Sequence, residues 1–202
     1  VHRLGRRERA AAPLSEQVEI VCVNAGDKFP DVYVQRLYNM LGRRFSRPFR
    51  LTCFTDRRRD ISGEILQVDI SMFSAKGVFN KLLLYNQEVF PYDEALFMDI
   101  TLIIKEEIGG YVEYAKSLDK DVVAIRDWRR PIMNSCFQWV TKNDTIKAVW
   151  EAYDTAQFPD YQSKGDQWFT WNTLHALGLQ DHIGYFPEGE IIEVALSGSG
   201  FD

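Results

Sequence analysis

Long apolar runs, paired cysteines and an excess of basic charge are all missing from this sequence of 202 residues. No apolar stretch reaches the roughly 18 residues that a membrane-spanning helix needs, so the sequence predicts no transmembrane segment. Asp and Glu number 29 against 24 Lys and Arg, and the net charge of -5 gives no general attraction to nucleic acid.

Cysteine and histidine are too scarce to predict a disulfide framework or a histidine-based metal centre. His175 and His182 lack cysteine or paired acidic neighbours at metal-ligand spacing, so neither is a predicted ligand. The three cysteines, Cys22, Cys53 and Cys136, are an odd number, and two of them lie in apolar strand patterns. We therefore predict three reduced core thiols in a cytoplasmic protein.

The apolar residues that are present suffice for one substantial core. They make up 46% of the chain, which at this length predicts a single domain. Residues 1–17 contain four arginines and few large apolar residues, and we expect a flexible basic leader there. Residues 197–202 are a Gly/Ser-rich tail, so the predicted domain covers residues 18–196.

Strand-like apolar runs alternate with segments of helical periodicity. The predicted strands cover residues 18–24, 49–56, 65–70, 94–104, 122–126 and 134–140, and the predicted helices cover 30–41, 78–89, 111–117, 144–153 and 166–177. We expect Asp144 to be the N-cap of its helix and Gly178 to end the last helix. This alternation predicts an α/β domain of three layers, α/β/α, with a mostly parallel central sheet.

Residues 94–104 form an apolar run with one carboxylate, Asp99, inside it. Buried strands of parallel sheets are near-continuous apolar segments, and open α/β sheets bind ligands at the carboxyl ends of such strands. Asp99 is therefore a candidate site residue. Thr101 lies two positions further on, so on an extended backbone it would point to the same face as Asp99.

The run around Asp99 resembles the "LYLDLDTVIV" strand of nucleotide-sugar-dependent glycosyltransferases with a GT-A fold, particularly bacterial and phage relatives of the family-8 retaining enzymes. Further motifs occur in the family's order over about residues 18–190, namely the strands 18–24 and 49–56, the helix 33–40, Phe79-Asn80-Lys81-Leu82, Asn134-Ser135 and Gly165-Asp166-Gln167. The resemblance implies a GT-A fold and transfer of a sugar from a nucleotide-diphosphate donor to an unknown acceptor hydroxyl, with retention of configuration.

The resemblance also implies roles for particular residues. Donor contacts fall on Asn24, Ala25, Thr55, Asp56, Lys81, Asp99 and Thr101, and Lys81 would face the donor phosphates. Asn134 and Ser135 match the acceptor side, while Asp166 and Gln167 match the catalytic pair that flanks the sugar.

A divalent cation, Mn²⁺ or Mg²⁺, is the cofactor that the resemblance implies, with Asp99 as its ligand. The family pattern is Asp-x-Asp, but Thr101 stands at the second position, and a neutral hydroxyl is a weaker partner for a hard cation than a carboxylate. The family's late His-Gly ligand also has no match after His182. Lys81 would then be the chief remaining countercharge.

Each of these roles has a structural alternative that the sequence leaves open. Asp99 fits an N-cap or turn acid at a strand end, Lys81 a lysine that extends from an amphipathic helix, and Asp56 a solvated turn. Asn134 and Ser135 fit a polar strand entry, and Asp166 fits a helix N-cap. At the level of function, the alternative to a transferase is a noncatalytic nucleotide-sugar-binding or scaffold relative. A nucleotidyltransferase is less favoured, because residues 24–27 are too short for a Gly-rich phosphate loop.

Overall fold

A mixed sheet forms the centre of the molecule in a computed structural model that describes residues 17–73 and 75–188. Within these residues the strands are β1 (Val18–Val23), β2 (Phe49–Thr55), β3 (Leu66–Asp69), β4 (Glu94–Met98), β5 (Val122–Arg126), β6 (Met133–Thr141) and β7 (Ile183–Tyr185). Their order is β3-β2-β1-β4-β6-β5-β7, and all neighbouring pairs are parallel except those that β6 makes with β4 and β5. The predicted, mostly parallel sheet is confirmed.

Helices cover both faces of this sheet. Side chains of α1 (Val32–Arg44) and α2 (Gly110–Ser117) pack on one face, against residues such as Ile20 and Cys22. The other face, which includes Val21, packs against a 3₁₀ helix (Gly77–Tyr85), α3 (Asp144–Asp154) and α4 (Asp166–Ala176). Because successive strand residues point to opposite faces, an apolar strand such as β1 serves both layers at once. The predicted α/β/α architecture is confirmed.

The first helix shows how the sequence specifies these elements. Pro30 precedes α1, and Val34, Leu37 and Leu41 recur at helical spacing on its buried face. The helix ends in Arg43 and Arg44, whose positive charges suit a helix C-terminus. The chain then returns to the sheet, where the backbone N of Val18 donates to the Pro48 carbonyl at 2.9 Å.

The predicted strand over 94–104 is wrong beyond Met98. The backbone N of Leu102 donates to the carbonyl of Asp99 at 3.1 Å, which closes a turn over the intervening residues. Asp99 and Thr101 therefore do not lie on an extended backbone, and the same-face argument for them fails.

Two further helix predictions need correction. The helix predicted over 78–89 is a 3₁₀ helix that ends at Tyr85, after which the Asn86 side chain accepts a hydrogen bond from the backbone N of Glu88 at 2.9 Å. The N-cap of α3 is Asn143 rather than Asp144, because the Asn143 side-chain oxygen accepts from the backbone N of Ile146 at 3.0 Å. At both helix boundaries an asparagine side chain bonds to local backbone.

Two of the three cysteines are buried in the core, as predicted. Cys22 and Cys53 are buried free thiols, and a hydrogen bond with Cys53, together with burial, raises the pKa of Cys22. Cys136 forms no disulfide and is only half-buried.

Some sequence-based expectations concern regions that the structure does not cover. Residues 1–16 of the predicted leader, the end of the predicted domain and the tail 197–202 lie outside the described residues. In the described part of the chain, no helix is both long and apolar enough to cross a membrane.

Candidate active site

The predicted site residues meet at one edge of the sheet, because parallel strands end there. Asn24 follows β1, Asp56 follows β2 and Asp99 follows β4. Strand β6 runs the other way and therefore begins at this edge, where the backbone N of Asp99 donates to the Cys136 carbonyl at 2.8 Å. This edge is where open α/β sheets bind ligands.

Lys81 joins two carboxylates at this edge. Its Nζ donates to Oδ2 of Asp99 at 2.9 Å and lies 3.6 Å from Oδ2 of Asp166. The hydroxyl of Ser135 donates to the same Asp166 oxygen at 2.6 Å. The Lys81 side chain is 18% exposed, so it does not extend from its helix into solvent. We call Lys81, Asp99, Asp166 and Ser135 the lysine cluster.

Electrostatics within the lysine cluster favour the ammonium form of Lys81. Burial disfavours the ammonium of Lys81, but the carboxylates of Asp166 and Asp99 outweigh this effect and raise the pKa of Lys81. Burial also raises the pKa of Asp99, against the opposing effect of Lys81. The ammonium of Lys81 therefore lies, partly buried, between two carboxyl groups.

Local backbone features bring Ser135 and Asp166 together. The pairing of β5 with β6 is irregular between Ala124 and Ile125, so that residues 135–137 have no partners on β5. Gly165 starts α4 with φ 93° and ψ 176°, a conformation that is essentially restricted to glycine. It is Gly165 that occupies the N-cap position, while the Asp166 side chain bonds within the lysine cluster, so the N-cap alternative for Asp166 is wrong.

Asn24 has a buried side chain without partners. The residue is 2% exposed, and neither its amide nitrogen nor its amide oxygen has a hydrogen-bond partner among the described residues. A buried polar atom in this state costs about 1–3 kcal/mol. Such a cost at the end of a strand that borders β4 is expected where a ligand completes the hydrogen bonding.

Arg59 was missed by the sequence analysis, yet it organises the ends of β1 and β2. It is 3% exposed and donates to Oδ1 of Asp31, Oδ1 of Asp56, Oγ1 of Thr55 and the carbonyl of Gly26. The other Asp56 oxygen accepts from the backbone N of Gly26 at 2.9 Å. Thr55 and Asp56 thus hold the turn that follows Asn24. Arg59 lies in a run of three arginines, and nothing in that run distinguishes the buried one.

The remaining predicted residues have mixed positions. Gln167 donates to Oδ2 of Asp127 at 2.7 Å, and Asp127 was not predicted. Asn134 is buried, and its side-chain oxygen accepts from the backbone N of Cys136. Ala25 packs partly buried against the core, and Thr101 is half-buried in the turn after Asp99.

The described residues do not by themselves form a cage for a divalent cation. Hard cations take about six or more oxygen ligands. In residues 17–73 and 75–188 there is no group of three acidic, histidine or cysteine side chains that could hold one. Asp99 and Asp166 instead converge on the ammonium of Lys81.

Comparisons with known proteins identify a fold but no family. No family model matches the chain. A curated protein, the ribosomal protein L11 methyltransferase of Brevibacillus brevis, is 30% identical over 103 residues, which are 45% of this chain and 29% of that protein. The chain therefore spans less than a third of the length of this curated relative.

Solved structures of glycosyltransferases match most of the chain. An active-site mutant of LgtC has a TM-score of 0.60 at 14% identity, over 83% of this chain and 72% of that one. GlyE of Streptococcus pneumoniae has a TM-score of 0.54 at 11% identity, over 85% of this chain and 45% of that one. Mouse xyloside xylosyltransferase 1 has a TM-score of 0.54 at 10% identity, over 84% of this chain and 85% of that one. The predicted GT-A fold is confirmed, while membership of family 8 stays a prediction.

Proposed function

We propose that this domain transfers a sugar from a nucleotide-diphosphate donor to an acceptor hydroxyl. The observation that carries the proposal is the lysine cluster at the carboxyl edge of a sheet with the GT-A fold. When the sugar leaves, negative charge grows on the nucleotide diphosphate. In the proposal, the ammonium of Lys81, which contacts Asp99 and Asp166 in this structure, would turn toward the donor phosphates and stabilise the growing charge.

Asn24 would bind the nucleotide in this proposal. Its amide offers one acceptor and two donor hydrogens, none of which is used by the described residues. A nucleotide base carries both donors and acceptors and suits such a group. Thr55 and Asp56 would support nucleotide binding indirectly, through the turn that they hold with Arg59. Ala25 would lie next to the bound nucleotide.

Asp166 and Gln167 would contact the donor sugar, as the resemblance implies. Ser135 and Lys81 fix the Asp166 carboxylate, which leaves its Oδ1 for a sugar hydroxyl. One of the similar structures is an active-site mutant of LgtC in which glutamate replaces a glutamine, and Gln167→Glu would test the proposed role of Gln167 in this chain. Asn134 and Ser135 remain the proposed acceptor side, and retention of configuration remains an implication of the resemblance.

The cation remains a separate proposal. Mn²⁺ or Mg²⁺ at Asp99 would have to compete with Lys81 for that carboxylate. Calorimetric titration of manganese into the wild type and Thr101→Asp tests this point. Tighter binding by the variant would place Thr101 beside Asp99, and identical weak binding would exclude it from the site.

A binding-only relative is the second candidate. It is favoured by Thr101, which stands where the family has an acid, and by the engagement of both cluster carboxylates with Lys81. Such a protein would hold a nucleotide sugar and leave it intact.

Turnover separates the two candidates. The full chain is incubated overnight with a panel of nucleotide sugars, with and without manganese, and the release of nucleotide diphosphate is measured. We expect slow release by the wild type, at least tenfold less release by Asp166→Asn, and no change in Asp119→Asn, an exposed loop substitution far from this edge. Donor binding without any difference in release would favour the binding-only relative, and no donor binding at all would contradict both.

A further inference from the structure

The loop between β5 and β6 exposes an aromatic ring beside the lysine cluster. Trp128 is 63% exposed, although tryptophan is usually among the more buried residues. The guanidinium carbon of Arg129 lies 4.1 Å from the centre of the Trp128 ring, so it covers one face of the indole. Because Trp128 is still 63% exposed with that face covered, the opposite face must supply much of the exposed area, and we call it the open face.

Hydrogen bonds hold this loop in one conformation. Oδ1 of Asp127 accepts from the backbone N of Arg129 at 2.8 Å and of Arg130 at 3.0 Å. The backbone N of Asp127 donates to the Ile132 carbonyl at 2.9 Å, which closes the loop at its base. A loop ordered in this way loses little conformational entropy when a ligand binds.

The same aspartate connects the loop to the proposed reaction site. Oδ2 of Asp127 accepts from Gln167, and Gln167 directly follows Asp166 of the lysine cluster. One hydrogen bond and one peptide unit therefore separate Asp127, the residue before Trp128, from Asp166. An acceptor that lies on this loop would have a hydroxyl close to the donor sugar.

The charge of the loop selects among acceptors. Arg126 is engaged, because it faces Glu188 at 3.3 Å and stacks on Tyr185. Arg129 and Arg130 are exposed, and among the described residues neither has a carboxylate partner. Arg129, which stacks on Trp128, and Arg130 are thus two exposed guanidiniums without a carboxylate partner within residues 17–73 and 75–188, and such groups suit an anion.

We propose that Trp128, Arg129 and Arg130 form the acceptor platform, and that the acceptor is a saccharide with a negative charge. The sugar ring would lie on the open face of Trp128, and a carboxylate or phosphate would contact the two arginines. The proposal names the acceptor class of the transferase proposed above and therefore rests on that function.

Saccharide binding to the full chain tests the platform. Three probes are titrated by calorimetry: maltotriose as the neutral sugar, trigalacturonate as the carboxylate and mannose 6-phosphate as the phosphate. We expect one anionic probe to bind and maltotriose to bind at least tenfold more weakly. Trp128→Ala and the double variant Arg129→Gln/Arg130→Gln should each weaken the anionic probe at least tenfold.

Matched controls remove the same features elsewhere. Met72→Ala removes an apolar side chain that is 84% exposed. Arg43→Gln removes one positive charge in the last turn of α1. Neither change should alter saccharide binding. The platform is wrong if no anionic probe binds, or if binding survives in Trp128→Ala. Trp128-dependent binding to phosphatidylglycerol vesicles would overturn it in favour of a membrane-docking loop.

Measuring nucleotide-sugar binding in the same variants distinguishes a failure of the acceptor platform from a failure of the proposed transferase function. Lys81→Ala should lose donor affinity and keep the anionic saccharide, while Trp128→Ala should do the reverse. If no nucleotide sugar binds the wild type but trigalacturonate or mannose 6-phosphate still binds through Trp128, the transferase function fails and the saccharide site stands.

Discussion

At the scale of single residues, the site is a set of charges that neutralise one another. The resemblance to a family identified Lys81, Asp99, Ser135 and Asp166, and the structure brings these four together. The resemblance could not identify Arg59. The partners of Arg59, Asp31 and Gly26, are 28 and 33 positions away in the sequence, and only the fold makes them neighbours. Sequence patterns reveal residue types, whereas long-range pairing depends on the packed chain.

Removing the Lys81 charge should destabilise the protein. Lys81→Met keeps the length of the side chain but leaves Asp99 and Asp166 without a countercharge. Breaking a buried ion pair on one side costs roughly 3–5 kcal/mol, and we expect the lower end because Lys81 is 18% exposed. Urea unfolding measures the loss.

A double variant checks that the Lys81 effect comes from the lysine cluster. Adding Asp166→Asn to Lys81→Met removes one of the stranded charges, so the two losses should fall short of additivity by about 1 kcal/mol or more. Additive losses would show that Lys81 and Asp166 do not interact.

The Arg59 contacts should make stability depend on acidity. Burial opposes the charge of Asp56, but bonds from Gly26 and Arg59 lower its pKa, and Asp60 and Arg59 likewise lower the pKa of Asp31. A carboxylate with a lowered folded-state pKa adds stability above its unfolded pKa of about 3.9, and this stability is lost as pH falls through the folded value.

Urea unfolding from pH 7 down to pH 2 tests this dependence. Asp56→Asn should be less stable than the wild type by a constant amount above about pH 4, and the difference should shrink below it. A difference that stays constant down to the lowest pH would mean that Asp56 has no lowered pKa.

At the scale of elements, apolar periodicity predicted the strands and helices well but not their ends. The run 94–104 continues to be apolar after the strand stops, because Ile100 is buried in the turn that follows, while Ile103 is 46% exposed. Hydrophobicity does not mark where a backbone leaves a sheet. The end at Met98 is set by the turn that Asp99 closes with Leu102, and hydropathy does not report that hydrogen bond.

The corrected cap of α3 gives a direct comparison of neighbouring residues. Asn143→Ala removes the side-chain acceptor for the backbone N of Ile146 and should cost about 1 kcal/mol. Asp144→Ala removes a favourable charge in the first turn and a long, exposed hydrogen bond from Gln87 at 3.4 Å, and should cost about 0.3–1 kcal/mol. Thermal unfolding of both variants measures the difference, and a larger loss for Asp144→Ala would return the N-cap to that residue.

Gly165 offers a test of how α4 positions Asp166. A Cβ at Gly165 would have nothing within 4 Å, so Gly165→Ala acts through the backbone conformation alone. The change should cost about 1–3 kcal/mol and weaken donor binding, because the start of α4 must shift. Gly63→Ala is the control, since its added Cβ also meets nothing within 4 Å and its backbone is not left-handed. Equal stability of the two variants would mean that Gly165 adopts an ordinary conformation.

At the scale of the whole molecule, the fold holds a costly buried amide in place. Asn24 follows the central strand β1 and is buried, and its amide has no hydrogen-bond partner among the described residues. Stability alone would favour an apolar residue there. The proposed donor gives this cost a function, because a bound nucleotide would satisfy the amide.

Thermal unfolding in the presence of nucleotide diphosphates measures how much a bound nucleotide stabilises the whole domain. A ligand at 100 times its Kd stabilises the native state by about 2.7 kcal/mol, which for a chain of this length is a rise in Tm of roughly 5–11 °C. Asn24→Leu should unfold at a higher temperature than the wild type without ligand, because the unpaired amide is gone, and should show a smaller shift with ligand. A variant that is less stable alone yet keeps the full shift would mean that the Asn24 amide is bonded inside the protein and takes no part in donor binding.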